Sequence, residues 1–108
     1  MFELKKNKKG DFHFNLKSTN GQVVLTSEVY SSKSAAENGI KAVKKNAPED
    51  SRYNRKISAN GKFYFNLKAA NGRIIGVSEM YDSESMMESC INTIKTITQD
   101  AQTKFIPT

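Results

Sequence analysis

The sequence predicts a small α+β domain made of two tandem β-β-β-α repeats. First, the chain repeats itself: shifted by 51 positions, residues 10–44 match residues 61–95 at 16 of 35 positions without a gap. Second, each copy passes from strand-like alternation to a helical period. Third, a repeat of about 50 residues buries too little surface to be stable alone. We therefore expect residues 1–51 and 52–108 to form one composite domain, with one antiparallel sheet, both helices on one face and a pseudo-two-fold axis.

Each copy begins with two strands. The first is predicted over residues 2–6 and 53–57. In the second, apolar side chains alternate with polar ones, which is typical of a strand buried on one face. The alternating apolar residues are the same in both copies: Phe12, Phe14 and Leu16, then Phe63, Phe65 and Leu67. Burial of these four phenylalanines is expected to contribute roughly 1.5–3 kcal/mol each.

An Asn-Gly pair follows the second strand of each copy, Asn20-Gly21 and Asn71-Gly72. This pair favours a two-residue type I′ turn, because both residues tolerate positive φ. The turn sets the register of the returning strand. The cross-strand pairs expected in copy one are Leu16 with Leu25 and Asn15 with Thr26. The helix-covered face then holds Phe12, Phe14, Leu16, Val23 and Leu25, with Phe63, Phe65, Leu67, Ile74 and Gly76. The opposite face, called the open face, holds His13, Asn15, Lys17, Val24 and Thr26, with Tyr64, Asn66, Lys68, Ile75 and Val77.

A helix follows the third strand of each copy. Apolar or small residues recur there at helical spacing: Ala36, Ile40, Val43 and Ala47, then Met87, Ile91, Ile94 and Thr98. Both stretches contain Ser-x-x-Glu, which resembles a capping box beginning at Ser34 and Ser85; we favour the earlier Ser31 and Asp82 as the N-caps. Pro48 ends the first helix, residues 46–52 form the linker, and residues 104–106 form a short terminal strand.

Composition limits the classes of protein to which the chain can belong. The formal net charge is +6, the sequence pI is about 9.5 and the mean hydropathy is −0.61. We see no apolar run near the ~20 residues of a membrane helix, and the first residues lack the apolar stretch of a secretory signal. The single cysteine, Cys90, excludes an intrachain disulfide. We therefore expect a cytoplasmic protein without membrane attachment.

Both copies carry the motif Phe-x-Leu-Lys-x-x-Asn-Gly followed by Ser-Glu-x-Tyr. Through this motif, in residues 60–71, 74–76 and 24–30, almost the whole chain resembles the YegP-like family of uncharacterised bacterial proteins. The resemblance implies that the last strand of each repeat is exchanged with the other repeat, so that residues 53–57 and 104–106 lock the halves together. It also implies a monomer whose two repeats mimic a homodimer. Many members of the family are more basic where this chain has Asn15 and Asn66.

We expect no catalytic residues, no metal site and no cofactor. The only histidine, His13, and the only cysteine, Cys90, lie in different copies, so they offer no paired ligands or nucleophile and base. The carboxylates of Glu28 and Glu79 would be related by the two-fold axis, and a salt-bridge or capping role is favoured over a glycosidase-like pair. The sequence therefore favours a protein that is not an enzyme.

The open face is the most suggestive surface for binding. Its candidate binding residues are Asn15, Lys17, Tyr64, Asn66 and Lys68. They favour a non-enzymatic module that binds a protein, peptide or small ligand on this face or at the sheet edge. The alternative is single-stranded nucleic acid, in particular RNA, which uses cations and aromatic groups on open sheets. A plain solvated face is a further alternative. The structural repeat positions are Asn20, Gly21, Tyr30, Asn71, Gly72 and Tyr81. Of these, Tyr30 and Tyr81 would form either a hydrophobic staple or the rim of a ligand groove.

Overall fold

A computed structural model describes residues 1–107, which form seven strands and two α-helices. The elements are β1 (Phe2–Lys6), β2 (Phe12–Lys17), β3 (Val23–Thr26), α1 (Lys33–Asn46), β4 (Tyr53–Ile57), β5 (Phe63–Lys68), β6 (Ile74–Val77), α2 (Glu84–Ile97) and β7 (Thr103–Ile106). A 3-10 turn, Asp50–Arg52, precedes β4. The predicted boundary between residues 51 and 52 falls inside this turn. No helix within residues 1–107 is long and apolar enough to cross a bilayer.

All seven strands belong to one sheet with the order β4-β5-β6-β3-β2-β1-β7. The sheet is antiparallel except at one edge, where β7 runs parallel to β1. The predicted antiparallel sheet is therefore confirmed, with β7 as the exception among the described strands. The strand after each helix pairs outside the preceding hairpin: β4 follows α1 and pairs with β5, whereas β7 follows α2 and pairs with β1. These strands tie the two halves together as the resemblance implies.

The two halves meet where Thr26 of β3 pairs with Val77 of β6. These residues are repeat equivalents, 51 positions apart, so the pseudo-two-fold axis passes between them. Beside the axis, Leu25 and its equivalent Gly76 share one space. A Cβ atom on Gly76 would lie 2.7 Å from Cγ of Leu25. Because equivalent side chains converge here, one copy can carry a leucine only if the other carries a glycine.

Both helices lie on the same face of the sheet and enclose a single apolar core. All eight predicted helix positions are buried, as are Phe14, Phe65, Leu16 and Leu67 on the strands. The outer strands add Phe2 and Tyr53, whose rings contact Phe14 and Phe65 edge-on at centroid distances of 5.8 and 5.4 Å. The predicted helix-facing pattern is thus confirmed at these positions, and the core is shared between the copies.

The hairpin turns are not type I′. Gly21 and Gly72 have positive φ, but no non-glycine residue does within residues 1–107, so Asn20 and Asn71 are not left-handed. Gly21 N–H donates to Ser18 O, and Ser18 N–H donates to Gln22 O, which makes a longer loop that ends in a left-handed glycine. The side-chain oxygen of Asn20 accepts from Gln22 N–H at 3.2 Å. This local hydrogen bond is available to asparagine without positive φ.

A bulge in the third strand of each copy corrects the predicted faces. Leu16 pairs with Leu25 and Asn15 with Thr26, as predicted, but Lys17 pairs with Val23, so that Val24 is an extra residue. Val24 therefore turns to the helix side, where it lines a cleft with Cys90. Copy two has the same bulge. The predicted faces of Val23, Val24, Ile74 and Ile75 were consequently wrong, whereas those of the second strands were right.

The helix N-caps are Ser32 and Ser83, one residue later than the favoured Ser31 and Asp82. Each cap hydroxyl accepts from the backbone N–H three residues on, at 3.1 Å. Asp82 instead pairs with Lys62, which draws its carboxylate away from the helix end. In copy two, the Asp82 carboxylate is therefore not placed to accept from the first turn of α2, and Ser83 caps the helix instead.

The carboxylate of Asp50 joins β4 to α2. It accepts from Lys95 at 2.8 Å and from Arg55 at 3.0 Å, and these hydrogen bonds lower the pKa of Asp50 to about 2. A folded-state pKa below the unfolded value contributes stability that is present above the unfolded pKa and is lost as pH falls.

We therefore expect the stability of the wild type to fall more steeply than that of Asp50→Asn between about pH 4 and pH 2. Urea unfolding at low ionic strength measures both curves, with Glu49→Gln as the control. Because Asp50 is exposed, the difference should shrink in high salt. Parallel curves for the wild type and Asp50→Asn would contradict the assignment.

Candidate functional site

The open face is crossed by one continuous row of paired residues. From one edge to the other the row reads Lys104, Glu3, Asn15, Thr26, Val77, Asn66 and Asn54. The helices pack on the other side of the sheet, so this row faces away from them. The five predicted binding residues all lie on this face, with Asn15 and Lys17 on β2 and the remaining three on β5. The pseudo-two-fold axis passes between these two groups.

Asn15 and Asn66 are equivalent in position but not in bonding. They are 9% and 8% exposed, because neighbouring side chains surround them. Asn15 Nδ2 donates to Thr26 Oγ1 at 2.9 Å. In the other half Val77 replaces Thr26, and its methyl groups cannot accept a hydrogen bond. Within residues 1–107 the Asn66 side chain makes no hydrogen bond, and neither of its polar atoms is sealed from solvent. Its amide is therefore available to a ligand.

The open face carries more positive than negative charge. Its strands contribute five lysines and one carboxylate: Lys5, Lys17, Lys56, Lys68 and Lys104 with Glu3. Lys17 Nζ lies 3.1 Å from Glu3, and its hydrogen bond is the largest cause of the lowered pKa of Glu3. On the other side of the axis Asn54 occupies the place of Glu3. Lys68 consequently has no ion pair within the described chain.

Aromatic and apolar groups are sparse on this face. His13 and Tyr64 are half-buried beside Lys5 and Lys56. Nearer the axis, Ile74 and Val77 are 38% and 36% exposed. The surface therefore combines an apolar centre, a free amide and flanking lysines, and offers only two rings on which a base could stack. The role of the five predicted residues in binding remains a prediction.

Two clefts lie on the helix side, where a ligand groove rimmed by Tyr30 or Tyr81 was one of the two alternatives for these residues. Each lies between the hairpin loop of one copy and the helix of the other copy, and their volumes are about 500 and 360 Å³. Equivalent residues line them: Asn20, Tyr81 and Ser89 in the first, and Asn71, Tyr30 and Asn38 in the second. The repeated Asn and Tyr positions were visible in the sequence, but their meeting across the copies depends on the order of the strands.

Tyr30 and Tyr81 each form one wall of a cleft. Each also extends the sheet by one bridge, to Phe12 and Phe63 respectively. The Tyr30 ring stacks on Phe14 and covers Gly39, where a Cβ would lie 2.5 Å from the tyrosine oxygen. Tyr30 lies two residues before the Ser32 cap, whereas a staple residue directly precedes the cap. The tyrosines therefore do not form hydrophobic staples of that kind.

The structure separates the groups that could have supported catalysis. His13 is on the open face, whereas Cys90 is a buried residue of α2 on the helix side, where desolvation raises the pKa of its thiol. Such a thiol is poorly nucleophilic. Glu28 pairs with Arg73 of the other copy at 2.5 Å, as predicted, whereas Glu79 forms no ion pair within the described residues. Within residues 1–107 there is no cluster of three or more residues with metal-ligand side chains.

The Ser-Glu-x-Tyr motif has a structural explanation in both copies. Phe14 N–H donates to Ser27 Oγ at 2.9 Å, and the Ser27 hydroxyl donates to Glu28 O at 2.7 Å. Ser78 makes the same two bonds, with Phe65 and Glu79. The serine hydroxyl thus accepts the hydrogen bond that a strand carbonyl would otherwise accept, because the next two residues leave the sheet. The strand pairing resumes at Tyr30 or Tyr81.

Comparison with known proteins agrees with the repeat. The family described as "Domain of unknown function (DUF1508)" matches residues 7–54 and, a second time, 58–104. UPF0339 protein YegP of Escherichia coli K12 is 51% identical over 94 residues, which cover 87% of this chain and 86% of that protein. The solution NMR structure of E. coli yegP has a TM-score of 0.92 at 46% identity, covering 98% and 91% of the two chains. That of SO3888 from Shewanella oneidensis has a TM-score of 0.92 at 42% identity, covering 98% and 90%.

Proposed function

We propose that this chain, which belongs to the DUF1508 family of unknown function, is a non-enzymatic module that binds a protein partner on its open face. The proposal rests on one observation: the helices leave this face uncovered, and an unpaired, 8%-exposed amide, that of Asn66, lies at its centre beside exposed Val77 and Ile74. Amides, partly exposed aliphatic groups and surrounding cations suit the mixed polar and apolar surface of a protein. We further propose that the chain acts as a monomer in the cytoplasm, where its buried single thiol needs no partner.

The arrangement of the reactive side chains supports a binding role over a catalytic one. General acid–base or nucleophilic catalysis needs two groups within hydrogen-bond reach of one another. Here the histidine and the cysteine lie on opposite faces of the sheet, and Glu28 is held by Arg73. The best-defined polar group on the open face is instead a neutral amide, which can recognise a partner without reacting with it.

Single-stranded RNA is a second candidate partner, favoured by the five lysines against one carboxylate on the open face. Phosphate contacts by these lysines would make binding strongly dependent on salt. Each contact to a single strand contributes a slope of about −0.7 in a plot of log affinity against log salt. Only His13 and Tyr64 could stack on bases, which is why this candidate ranks second.

Photo-crosslinking in bacterial cells tests both candidates. A photoreactive phenylalanine analogue replaces Tyr64 on the open face or Met80, an exposed control at the strand-to-helix crossover. We expect adducts from position 64 alone, which resist RNase and are lost in Asn66→Leu/Lys68→Glu. Adducts destroyed by RNase would favour the second candidate, and purified oligouridine should then bind with a salt slope of about −2 or steeper. Equal adducts from both positions would contradict a binding role for this face.

A further inference from the structure

The two edges of the sheet are equivalent in the repeat but differ in the structure. At one edge β7 covers β1, with Phe2 N–H donating to Gln102 O at 2.8 Å. At the other edge β4 is the last strand. The strand that follows α1 is β4 itself, so copy one supplies no strand to cover it. The edge of β4 therefore corresponds to a strand-binding site that is filled on the other side of the molecule.

The filled site shows what such a strand contributes. Phe105 of β7 lies opposite Leu4 of β1 in the parallel register. Its ring contacts the Phe12 ring at a centroid distance of 6.4 Å, and Lys33 Nζ lies 4.3 Å from its centroid. Phe105 thus contacts the first residue of β2 and the first residue of α1. One aromatic side chain and a parallel backbone ladder are sufficient to close this edge.

The equivalent place beside β4 is an open groove of about 420 Å³. A shift of 51 positions converts the residues around Phe105 into residues of this groove. Phe12 becomes Phe63, Leu4 becomes Arg55, and Lys33 becomes Glu84. Met87 closes the bottom, and Ile57 lines one side with 66% of its surface exposed. The groove therefore keeps an apolar floor, but its charges differ from those of the filled site. The cation Arg55 takes the place of Leu4, and the carboxylate of Glu84 takes the place of the Lys33 cation.

The backbone of β4 is oriented to accept a further strand. On β5, Phe63 and Phe65 direct their N–H and C=O groups toward the β6 side: Phe63 N–H donates to Tyr81 O, and Phe65 O accepts from Ser78 N–H. Their partners on β4 are Ile57 and Arg55. Because these are non-hydrogen-bonded pairs, the backbone groups of Arg55 and Ile57 point outward from the sheet. Unpaired outward groups of this kind are what strand addition uses.

We infer that the β4 edge binds an extended peptide from another protein, running parallel to β4, with an aromatic residue opposite Arg55 and a basic residue near Glu84. The aromatic ring would contact Phe63 and the Arg55 guanidinium, which Glu88 holds in place through two hydrogen bonds of 2.5 and 3.0 Å. The carboxylate of Glu84 stands where Lys33 faces Phe105, so a cation in the peptide replaces the cation of the filled site. This surface is distinct from the open face.

A peptide of another protein fits this groove better than the terminal strand of a second copy. β7 already pairs with β1 of its own chain, and it would have to leave that site to reach a partner. Its attachment to α2 keeps it at a high effective concentration next to β1. A separate peptide faces no such competition at β4.

A synthetic peptide with the sequence of residues 101–107, but with lysine in place of Pro107, is the probe, because a residue two positions after the phenylalanine lies on the same side of the strand, at the Glu84 end of the groove. We expect its addition to 15N-labelled protein to shift the amide resonances of Arg55 and Ile57 and to slow their hydrogen exchange. Ile57→Pro should weaken peptide binding at least about tenfold, since proline removes an outward N–H while keeping the inward pairing. Met80→Ala, which removes another exposed apolar side chain, should bind like the wild type.

Two further measurements separate the edge from its alternatives. Replacing phenylalanine by serine in the peptide should abolish the shifts, and Glu84→Lys should weaken binding, whereas the unfolding midpoint of each protein variant reports whether it is folded. Shifts confined to β1 would show that the peptide only displaces β7, and would overturn the inference. A concentration-dependent dimer that Ile57→Pro abolishes would also overturn it, in favour of the terminal strand of a second copy.

Discussion

Gly76→Leu is expected to destabilise the domain by about 3 kcal/mol, the upper end of the usual cost of overpacking a well-packed core. Even a Cβ at this position would meet Leu25 at 2.7 Å, and both residues lie in the buried centre of the sheet beside the pseudo-two-fold axis. A leucine there has no empty volume to enter, because its own repeat equivalent already fills that volume. Urea unfolding followed by circular dichroism measures the loss.

The exchanged double variant makes this prediction specific. Leu25→Gly alone should cost about 4 kcal/mol by leaving a cavity. Leu25→Gly/Gly76→Leu should lose far less unfolding free energy than the two single variants lose together, because the leucine then enters the same space from the other side of the axis. A coupling free energy of about 3 kcal/mol or more is expected in the double-mutant cycle. Simple additivity of the two losses would show that the halves do not share this space.

Removing both buried serine hydroxyls is expected to cost about 2–6 kcal/mol. In Ser27→Ala/Ser78→Ala, the backbone N–H groups of Phe14 and Phe65 each lose the acceptor that the structure gives them. A buried donor left without a partner costs about 1–3 kcal/mol. The two sites share no hydrogen-bond partner, so the losses should approximately add. Thermal and urea unfolding of each single variant and of the double variant measure the effect.

The matched control is Ser34→Ala/Ser85→Ala, a second pair of repeat-equivalent serines that are exposed on the helices. Its unfolding free energy should lie within about 0.5 kcal/mol of the wild type. Equal losses in the two double variants would contradict the proposed role of Ser27 and Ser78. Amide hydrogen exchange gives an independent measurement, because the Phe14 and Phe65 amides should exchange faster only in the first variant.

Much of the candidate site could be predicted from the sequence. Alternation along β2 and β5 placed Asn15, Lys17, Tyr64, Asn66 and Lys68 on one face, because side chains of a strand alternate strictly. The sequence did not predict that Asn15 would be bonded while Asn66 is free. That difference depends on which residue lies across the strand, Thr26 in one half and Val77 in the other. A groove beside Tyr30 or Tyr81 was one expectation, but the opposite wall of each cleft could not be predicted, because each cleft combines a loop and a helix from different copies.

The turns show why local rules were insufficient. Asn-Gly is compatible with a type I′ turn, but Asn20 also bonds to Gln22 N–H with negative φ, and the longer loop results. The bulge at Val24 then reverses the faces of two residues in the third strand. Neither the loop nor the bulge changes the alternation in the second strand. An error at the turn therefore stayed confined to the residues next to it.

The sequence by itself determined the repeat, the class of each element and the helix-facing side chains of the helices and second strands, because periodicity acts within one segment of chain. Tertiary structure alone decided the strand order, the parallel placement of β7 and the open edge of β4. These features depend on pairing between residues that are far apart in the chain. Among the described strands β7 alone follows α2, and it covers the β1 edge, so the β4 edge stays open.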